Sequence, residues 1–423
     1  MAEPVETRLL TEYYEKERSR VLKECIRCGL CYELCSVQKE ALQEARPREY
    51  QDKVLKFLEG GAADKLVYDR GFSCLQCFKC TDKCPKGLNP LLINELIKWD
   101  YQRKNIKTLK YNEPADPEVP QRVAASIQVN EADYAGIFTK SPQKKSKYVF
   151  FPGCNVYFQP DKILSALDIL DLLTDDYAFL PGLNNCCGRV QLFNGDVDRA
   201  GEVAAELLAE IAAYEPETLI VWCPTCLCNF AVTIAPIYAL PYKVVSLPQF
   251  IAENLQKLQF KQPVPQKITL HEACKSALSG LDMKGPREIL KSLPRAEFTE
   301  MARHAESTVC CGLGALNYDK QILARMRDER MEEAADTGAA ILANVCHACH
   351  KFFLGQEHRF SYDIVNYITL LAQALGIERE DKLKAYIKIN DQAQIKAAAK
   401  DYPASSSFSP ERIDQVIREY IMK

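Results

Sequence analysis

No apolar run in this sequence approaches the ~18 residues of a membrane span, so no transmembrane segment is expected. The opening MAEPVETRLLTEYYEKERSR crowds Glu3, Glu6, Glu12, Glu15 and Glu17 where a secretory leader needs an apolar stretch. A cytoplasmic chain is therefore expected. Excess charge of either sign is also missing, with 54 basic against 57 acidic residues. That balance argues against nucleic acid or an anionic membrane as partner. There is no GxGxxG opening a βαβ unit and no GxxxxGK[ST], and Gly182, Gly188, Gly312 and Gly314 make no dinucleotide fingerprint. A flavin or nicotinamide site within this chain is not expected.

What the sequence has in abundance is cysteine, 19 in 423 residues. Disulfides, structural zinc and iron–sulfur clusters are the competing readings. A disulfide framework needs an oxidising compartment, which the opening segment does not suggest. The remaining 47% apolar and 26% charged residues are the ordinary mix of a globular protein of two or three domains.

The cysteines also mark out the domains. Residues 1–110 carry eight, in two runs of four, and read as helical. Pro47 to Glu59 begins on proline and stops at Gly60-Gly61, and Asn89-Pro90 reads as a helix start before Leu92, Leu96 and Trp99. Residues 111–147 have none, but carry Pro114, Pro117, Pro120, Pro142 and Lys144, Lys145 and Lys147. They read as a solvated linker. Residues 148–262 and 263–360 read as two α/β domains, in which short apolar runs lead into Cys154, Cys223, Cys274 and Cys346. Cysteines at strand ends point to a site, because open α/β sheets form sites beyond the carboxyl ends of their strands. Residues 361–423 read as a helical extension, beginning with an amphipathic helix from Tyr362 to Leu375. The expected fold class is α+β/α multidomain, an α-helical ferredoxin-type module followed by two duplicated α/β domains.

The first run is Cys25-x2-Cys28-x2-Cys31-x3-Cys35, and Cys74-x2-Cys77-x2-Cys80-x3-Cys84-Pro85 repeats it. Zinc sites more often use two separated CxxC pairs. Three thiolates at steps of three suit one corner of a cuboidal cluster, and in two-cluster ferredoxins the fourth cysteine serves the other cluster. This assigns Cys25, Cys28, Cys31 and Cys84 to one cubane 4Fe–4S cluster, and Cys74, Cys77, Cys80 and Cys35 to a second. Ser36 stands where a proline usually follows the first run. Two such clusters in series make a one-electron relay. An oxidised cubane on four thiolates is formally −2, so two of them take the net charge from −3 to about −7.

The other cysteines form two sets of five: Cys154, Cys186-Cys187-Gly188 and Cys223-x2-Cys226, then Cys274, Cys310-Cys311-Gly312 and Cys346-x2-Cys349. Matching cysteines are offset by 120, 124, 124, 123 and 123 residues, an internal duplication. Adjacent cysteines converge on one centre only at a bend, which the following glycine permits. Backbone N–H groups at that turn would offset the negative charge. Cys228 is left over and reads as a small buried hydrophobe.

On these residues the chain resembles the catalytic subunit family of heterodisulfide reductases, and residues 1–110 resemble the small ferredoxin-like subunit of the same enzymes. The resemblance covers about residues 20–355, as a fusion of the two. It implies that Cys154, Cys186, Cys187, Cys223 and Cys226 hold one noncubane 4Fe–4S cluster, and Cys274, Cys310, Cys311, Cys346 and Cys349 another. In that family the pair cleaves a disulfide by one-electron steps, which would make these ten cysteines catalytic. The resemblance also implies a flavoprotein or other electron-exchanging partner subunit, and a small disulfide as the substrate. Two further readings stay open: the iron–sulfur subunit of a quinone-linked glycolate, lactate or glycerol-3-phosphate oxidising enzyme, and a relay in an electron-bifurcating or aromatic-ring-reducing complex. A zinc scaffold is the reading from another class.

Three of the five histidines, His271, His347 and His350, lie near cysteines of the second set. An imidazole donating to a cluster sulfur would raise its potential, and proton delivery to a departing thiolate is the other role. Packing around the ligands is the plain alternative. His347 stands where the first set has Pro224, and Trp99 and Trp222 read either as seals over clusters or as core.

Overall fold

The computed structural model describes residues 8–38, 46–107, 111–315 and 318–422. Glu3 and Glu6 of the opening segment lie outside them. Helices Leu9–Glu24, Pro47–Leu58, Lys65–Phe72 and Pro90–Arg103 enclose a core of Leu10, Tyr14, Tyr50, Val54, Phe57, Leu96 and Trp99. Pro47 sits in the first turn of its helix, and the Asn89 side chain accepts from the Leu91 N–H at 3.0 Å, as cap-and-proline starts require. Each cysteine run leaves a helix end: Cys25 follows Glu24 directly, and Cys74 comes one residue after the cap Ser73.

The rest of the chain is built on two four-stranded parallel sheets. In the first, β1 (Tyr148–Phe151), β2 (Tyr177–Phe179), β3 (Thr218–Val221) and β4 (Lys243–Ser246) are ordered β2-β1-β3-β4. In the second, β5 (Lys267–His271), β6 (Glu297–Thr299), β7 (Ile341–Asn344) and β8 (Asp363–Asn366) are ordered β6-β5-β7-β8. The order is the same in both. The inner strands are apolar and covered on both faces, which is what parallel pairing requires. One core joins the sheets, with Phe150 and Ile220 of the first in the same cluster as Ile268, Ile341 and Ala343 of the second. The duplicated halves therefore face each other as one packed body.

Two expectations are corrected. Residues 111–147 are not a solvated linker: they include helices Pro120–Ser126 and Glu131–Phe138, and Val119, Val123, Ala124, Ile127 and Ile137 are buried. Helices of seven and eight residues are too short to show an apolar period, so the prolines dominate the reading. Pro120 in fact opens a helix. Lys144, Lys145 and Lys147 are exposed.

The stretch Tyr362–Leu375 is not one helix. It divides into β8 and helix Tyr367–Ala374, joined at Asn366, whose side chain accepts from Ile368 N–H. Asp363 is exposed and Ile364 buried, a two-residue alternation too short to stand out before the helical period. Because β8 pairs with β7, the second sheet extends past the boundary expected at residue 360. The helices beyond it pack back onto the body. Leu383, Tyr386, Ile395 and Ile417 share a separate core with Leu342, Phe353 and Ile364, and Tyr386 Oη donates to the Ile127 carbonyl at 2.6 Å. No helix among the described residues is long and apolar enough to cross a membrane.

Candidate metal centres

In the N-terminal module, Cys25, Cys28, Cys31 and Cys84 line one small cavity, and Cys35, Cys74, Cys77 and Cys80 line another. The fourth cysteine of each run lies with three from the other. The local cause is visible in the backbone. Arg27 and Gln76, the residues just before the second cysteine of each run, have φ of 58° and 53°. Such left-handed residues cost about 1–3 kcal/mol and persist only where neighbours hold them; here they turn successive sulfurs to one side.

Two polar residues around these cavities have no signature in the sequence. The Gln51 amide nitrogen donates to Cys25 Sγ at 3.7 Å, and its oxygen accepts from Cys31 Sγ at 3.9 Å. Arg70 is buried, donates to Gln38 Oε1 at 2.9 Å, and leaves Nε and Nη2 without a hydrogen-bond partner among the described residues. Burial alone would lower its pKa, but Cys31, Tyr50, Cys80 and Cys35 hold it raised. Both are isolated helical residues, unlinked by spacing to any cysteine.

All ten remaining paired-set cysteines line a single cavity of about 330 Å³ at the carboxyl ends of the two sheets. In each half the glycine after the adjacent cysteines is left-handed, at φ 84° for Gly188 and 93° for Gly312. Its N–H donates to the first sulfur of the pair, Cys186 or Cys310, at 3.4 Å in both. The second sulfur of the pair meets the last cysteine of the set. Cys187 and Cys226 Sγ lie 3.4 Å apart, and Cys311 and Cys349 Sγ 3.1 Å.

None of the 19 cysteines forms a disulfide. Burial pushes the Cys154 thiol up and that of Cys80 up to about 12, so these sulfurs ionise only beside positive charge. In the large cavity, hydrogen bonds from neighbouring thiols lower Cys187, Cys223 and Cys310, and that from Cys349 lowers Cys346 to about 7. No carboxylate lines any of the three cavities among the described residues. Soft sulfur in sets of four and five, without oxygen donors, fits iron–sulfur clusters.

The module and the large cavity are in contact. Leu75 and Gln76, between Cys74 and Cys77, line the large cavity themselves. A Cβ on Gly314, just beyond Cys310-Cys311-Gly312, would lie 2.2 Å from the Leu75 carbonyl oxygen. Burial pushes the Cys77 thiol well up, and the charge of Cys310 adds to it. The first half is held differently. Arg189, next to Gly188, pairs with Glu95 of helix Pro90–Arg103 and donates to Gln76 Oε1 at 3.2 Å. Lys98 donates to the Phe193 carbonyl at 2.8 Å.

His271, His347 and His350 all gather at the second half, and all are buried. His347 lines the cavity, lies edge-on to Trp222 at 4.4 Å, and is pushed down to about 3 by burial. Burial does the same to His350, whose Nδ1 meets Gln159 Oε1 at 2.7 Å. A ring nitrogen of His271 and the sulfurs of Cys311 and Cys349 lie within 4.8 Å of one another. Trp99 packs against Tyr14 and lines none of these cavities. Cys228 is buried beside Phe78 and Leu91 and also lies outside the cavities. Sequence reasoning missed Lys275, a cavity residue with no ion pair among the described residues. The 120-residue offset was the available signal, since it sets Lys275 opposite Asn155.

Comparison with known proteins agrees with this arrangement. A 4Fe-4S dicluster domain matches residues 21–88, and the cysteine-rich CCG domain matches residues 148–231 and 268–353. The chain is 25% identical over 389 residues to a dihydromethanophenazine:CoB–CoM heterodisulfide reductase subunit of Methanosarcina barkeri, covering 84% of this chain and 94% of that one. It is 26% identical to a CoM/CoB fumarate reductase subunit of Methanothermobacter marburgensis, over 87% of this chain and 75% of that one. A probable glycolate oxidase iron-sulfur subunit of Bacillus subtilis is 23% identical, over 87% and 92%. The chain thus carries one dicluster domain and two CCG domains, and is a heterodisulfide reductase-like iron–sulfur protein.

Proposed function

We propose that this chain is the iron–sulfur subunit of an oxidoreductase complex, and that its two CCG domains together form a site for reducing a small disulfide. Two cubane 4Fe–4S clusters in the module and two noncubane clusters in the CCG cavity would supply one-electron transfer. Cys25, Cys28, Cys31 and Cys84 would hold the first cubane, and Cys35, Cys74, Cys77 and Cys80 the second. Cys154, Cys186, Cys187, Cys223 and Cys226 would hold one CCG cluster, and Cys274, Cys310, Cys311, Cys346 and Cys349 the other.

The observation that carries this reading is the single cavity lined by all ten CCG cysteines, with Leu75 and Gln76 of the module reaching into it. A disulfide takes two electrons and two protons to become two thiols. Two one-electron sites facing one space suit that count. Cys28 is exposed while Cys77 lies beside Cys310, so the Cys25–Cys84 cavity is the end open to a partner, flavoprotein or otherwise. The heterodisulfide reductase relative covered over 94% of its length supports the disulfide reading; the glycolate oxidase relative, also matched nearly throughout, favours onward transfer without disulfide chemistry.

Anaerobic purification of the native complex tests both. About 16 iron atoms per chain are expected, four clusters of four, and mainly zinc would overturn the reading. Reduction of small disulfides by the dye-reduced holoprotein supports the reductase. Its absence, with a quinone-linked partner co-purifying, supports the relay.

A further inference from the structure

The second CCG domain alone sets an imidazole against its paired cysteines. His271 ends β5, and its counterpart at the end of β1 is Phe151. His271 is fully buried, and Arg330 Nε donates to its Nδ1 at 3.1 Å. A neutral imidazole has one N–H, so a bond accepted at Nδ1 places that hydrogen on Nε2. A guanidinium N–H can only donate, so the Nδ1 that accepts from Arg330 carries no hydrogen and the ring is the neutral Nε2–H tautomer. Nε2 has no hydrogen-bond partner among the described residues. Arg330 is itself fixed, donating to the Arg303 carbonyl at 2.8 Å and to Glu333 Oε2 at 2.9 Å. The ring stands edge-on to Phe353 at 4.8 Å. A buried N–H left without an acceptor costs about 1–3 kcal/mol, and the acceptors at hand are the sulfurs of Cys311 and Cys349, each within 4.8 Å of a nitrogen of this ring.

We propose that His271 Nε2–H donates a hydrogen bond to the sulfur shell of the second CCG site, and that Arg330 is the positioning residue that holds the donating tautomer. This rests on the reading that the second CCG domain binds a cluster. A donor on sulfur favours the reduced form and raises the potential. Phe151 offers the first site no such donor, so electrons settle on the second site, beside Cys77.

The test is a redox titration of the anaerobic holoprotein followed by electron paramagnetic resonance. His271→Phe, which copies the first domain, is expected to lower the potential of the second site and alter its spectrum while the first stays put. His271→Gln restores a donor and part of the shift, and Arg330→Met shifts the potential in the same direction as His271→Phe. Should His271→Phe fail to load iron, wild-type protein labelled with 15N-histidine carries the test by pulsed resonance. One weakly coupled nitrogen at the second site is expected. A strongly coupled nitrogen, meaning direct ligation, or none at all overturns the proposal, as do unchanged or equally shifted potentials in an iron-replete His271→Phe protein. A second site without iron overturns instead the cluster reading beneath it.

Discussion

The two CCG domains share a strand order, a cysteine pattern and a glycine N–H aimed at the first sulfur of the pair, yet their surroundings differ throughout. Where the first presents Phe151, Asn155, Pro224 and Leu227, the second presents His271, Lys275, His347 and His350 at matching offsets. The first domain is tied to the module by polar contacts, Arg189 to Glu95 and Lys98 to the Phe193 carbonyl. The second meets it by backbone, Gly314 against Leu75. Duplication preserved the cysteine set and let the environment diverge. A cluster's potential depends on its hydrogen bonds and burial as well as its ligands, so equal ligand sets do not make equal sites.

The largest effect should come from breaking one site at a time. Cys310→Ser is expected to cost about four irons and to lower disulfide turnover beyond the roughly 10–100-fold that changes around a ligand cause. Cys186→Ser should also cost iron but leave reduction of the second site by the module intact, as seen by rapid-freeze paramagnetic resonance. Equal loss of second-site reduction in both would end the distinction between the two sites.

Gly314→Ala comes next. Its Cβ would meet the Leu75 carbonyl oxygen at 2.2 Å, so the module must shift, at about 1–3 kcal/mol. Electron passage to the second site should slow in stopped-flow reduction. Gly195→Ala meets the Lys98 backbone at 2.5 Å and should destabilise comparably without slowing that step.

Exchanging Lys275 and Asn155 sharpens the comparison within the cavity. Lys275→Asn is expected to raise KM for a dicarboxylate disulfide about tenfold, the scale of one charged hydrogen bond. KM for bis(2-hydroxyethyl) disulfide should hold steady.

The smallest effect concerns the seam between the domains. Burial raises the pKa of Asp282 from 3.8 to about 7, against hydrogen bonds from Ser246 and the Gly285 backbone that lower it. Between those values the folded chain holds a proton that the unfolded chain has released, so this group's contribution is full below about pH 4 and falls as pH rises through about 7. Denaturant titrations at about pH 5 and about pH 8 should show Asp282→Asn gaining on the parent chain as pH rises.

Much of the candidate site was legible beforehand because ligand runs are local. Cysteines three residues apart in a turn converge whatever surrounds them, and offsets near 123 residues reveal the duplication without any structure. Asn89-Pro90 and Pro47 marked helix starts for the same local reason. Helix Pro120–Ser126 and strand β8 escaped because elements of seven and four residues carry too little period to outweigh prolines or an adjoining helix. Arg70, Gln51 and Arg330 escaped because nothing in their neighbours along the chain ties them to a cysteine; Lys275, next to Cys274, escaped because only the 120-residue offset sets it against Asn155.

The sequence by itself determined the donor atoms, their grouping by run and repeat, and the absence of a nucleotide fingerprint, since each is written in short-range spacing. Only the tertiary structure decided that both CCG sets open onto one cavity and that the module's Cys74–Cys77 turn abuts the second. It alone decided that a buried arginine 59 residues away sets the tautomer of His271. Those outcomes depend on which distant surfaces exclude water together, and burial of that kind is a property of the packed chain.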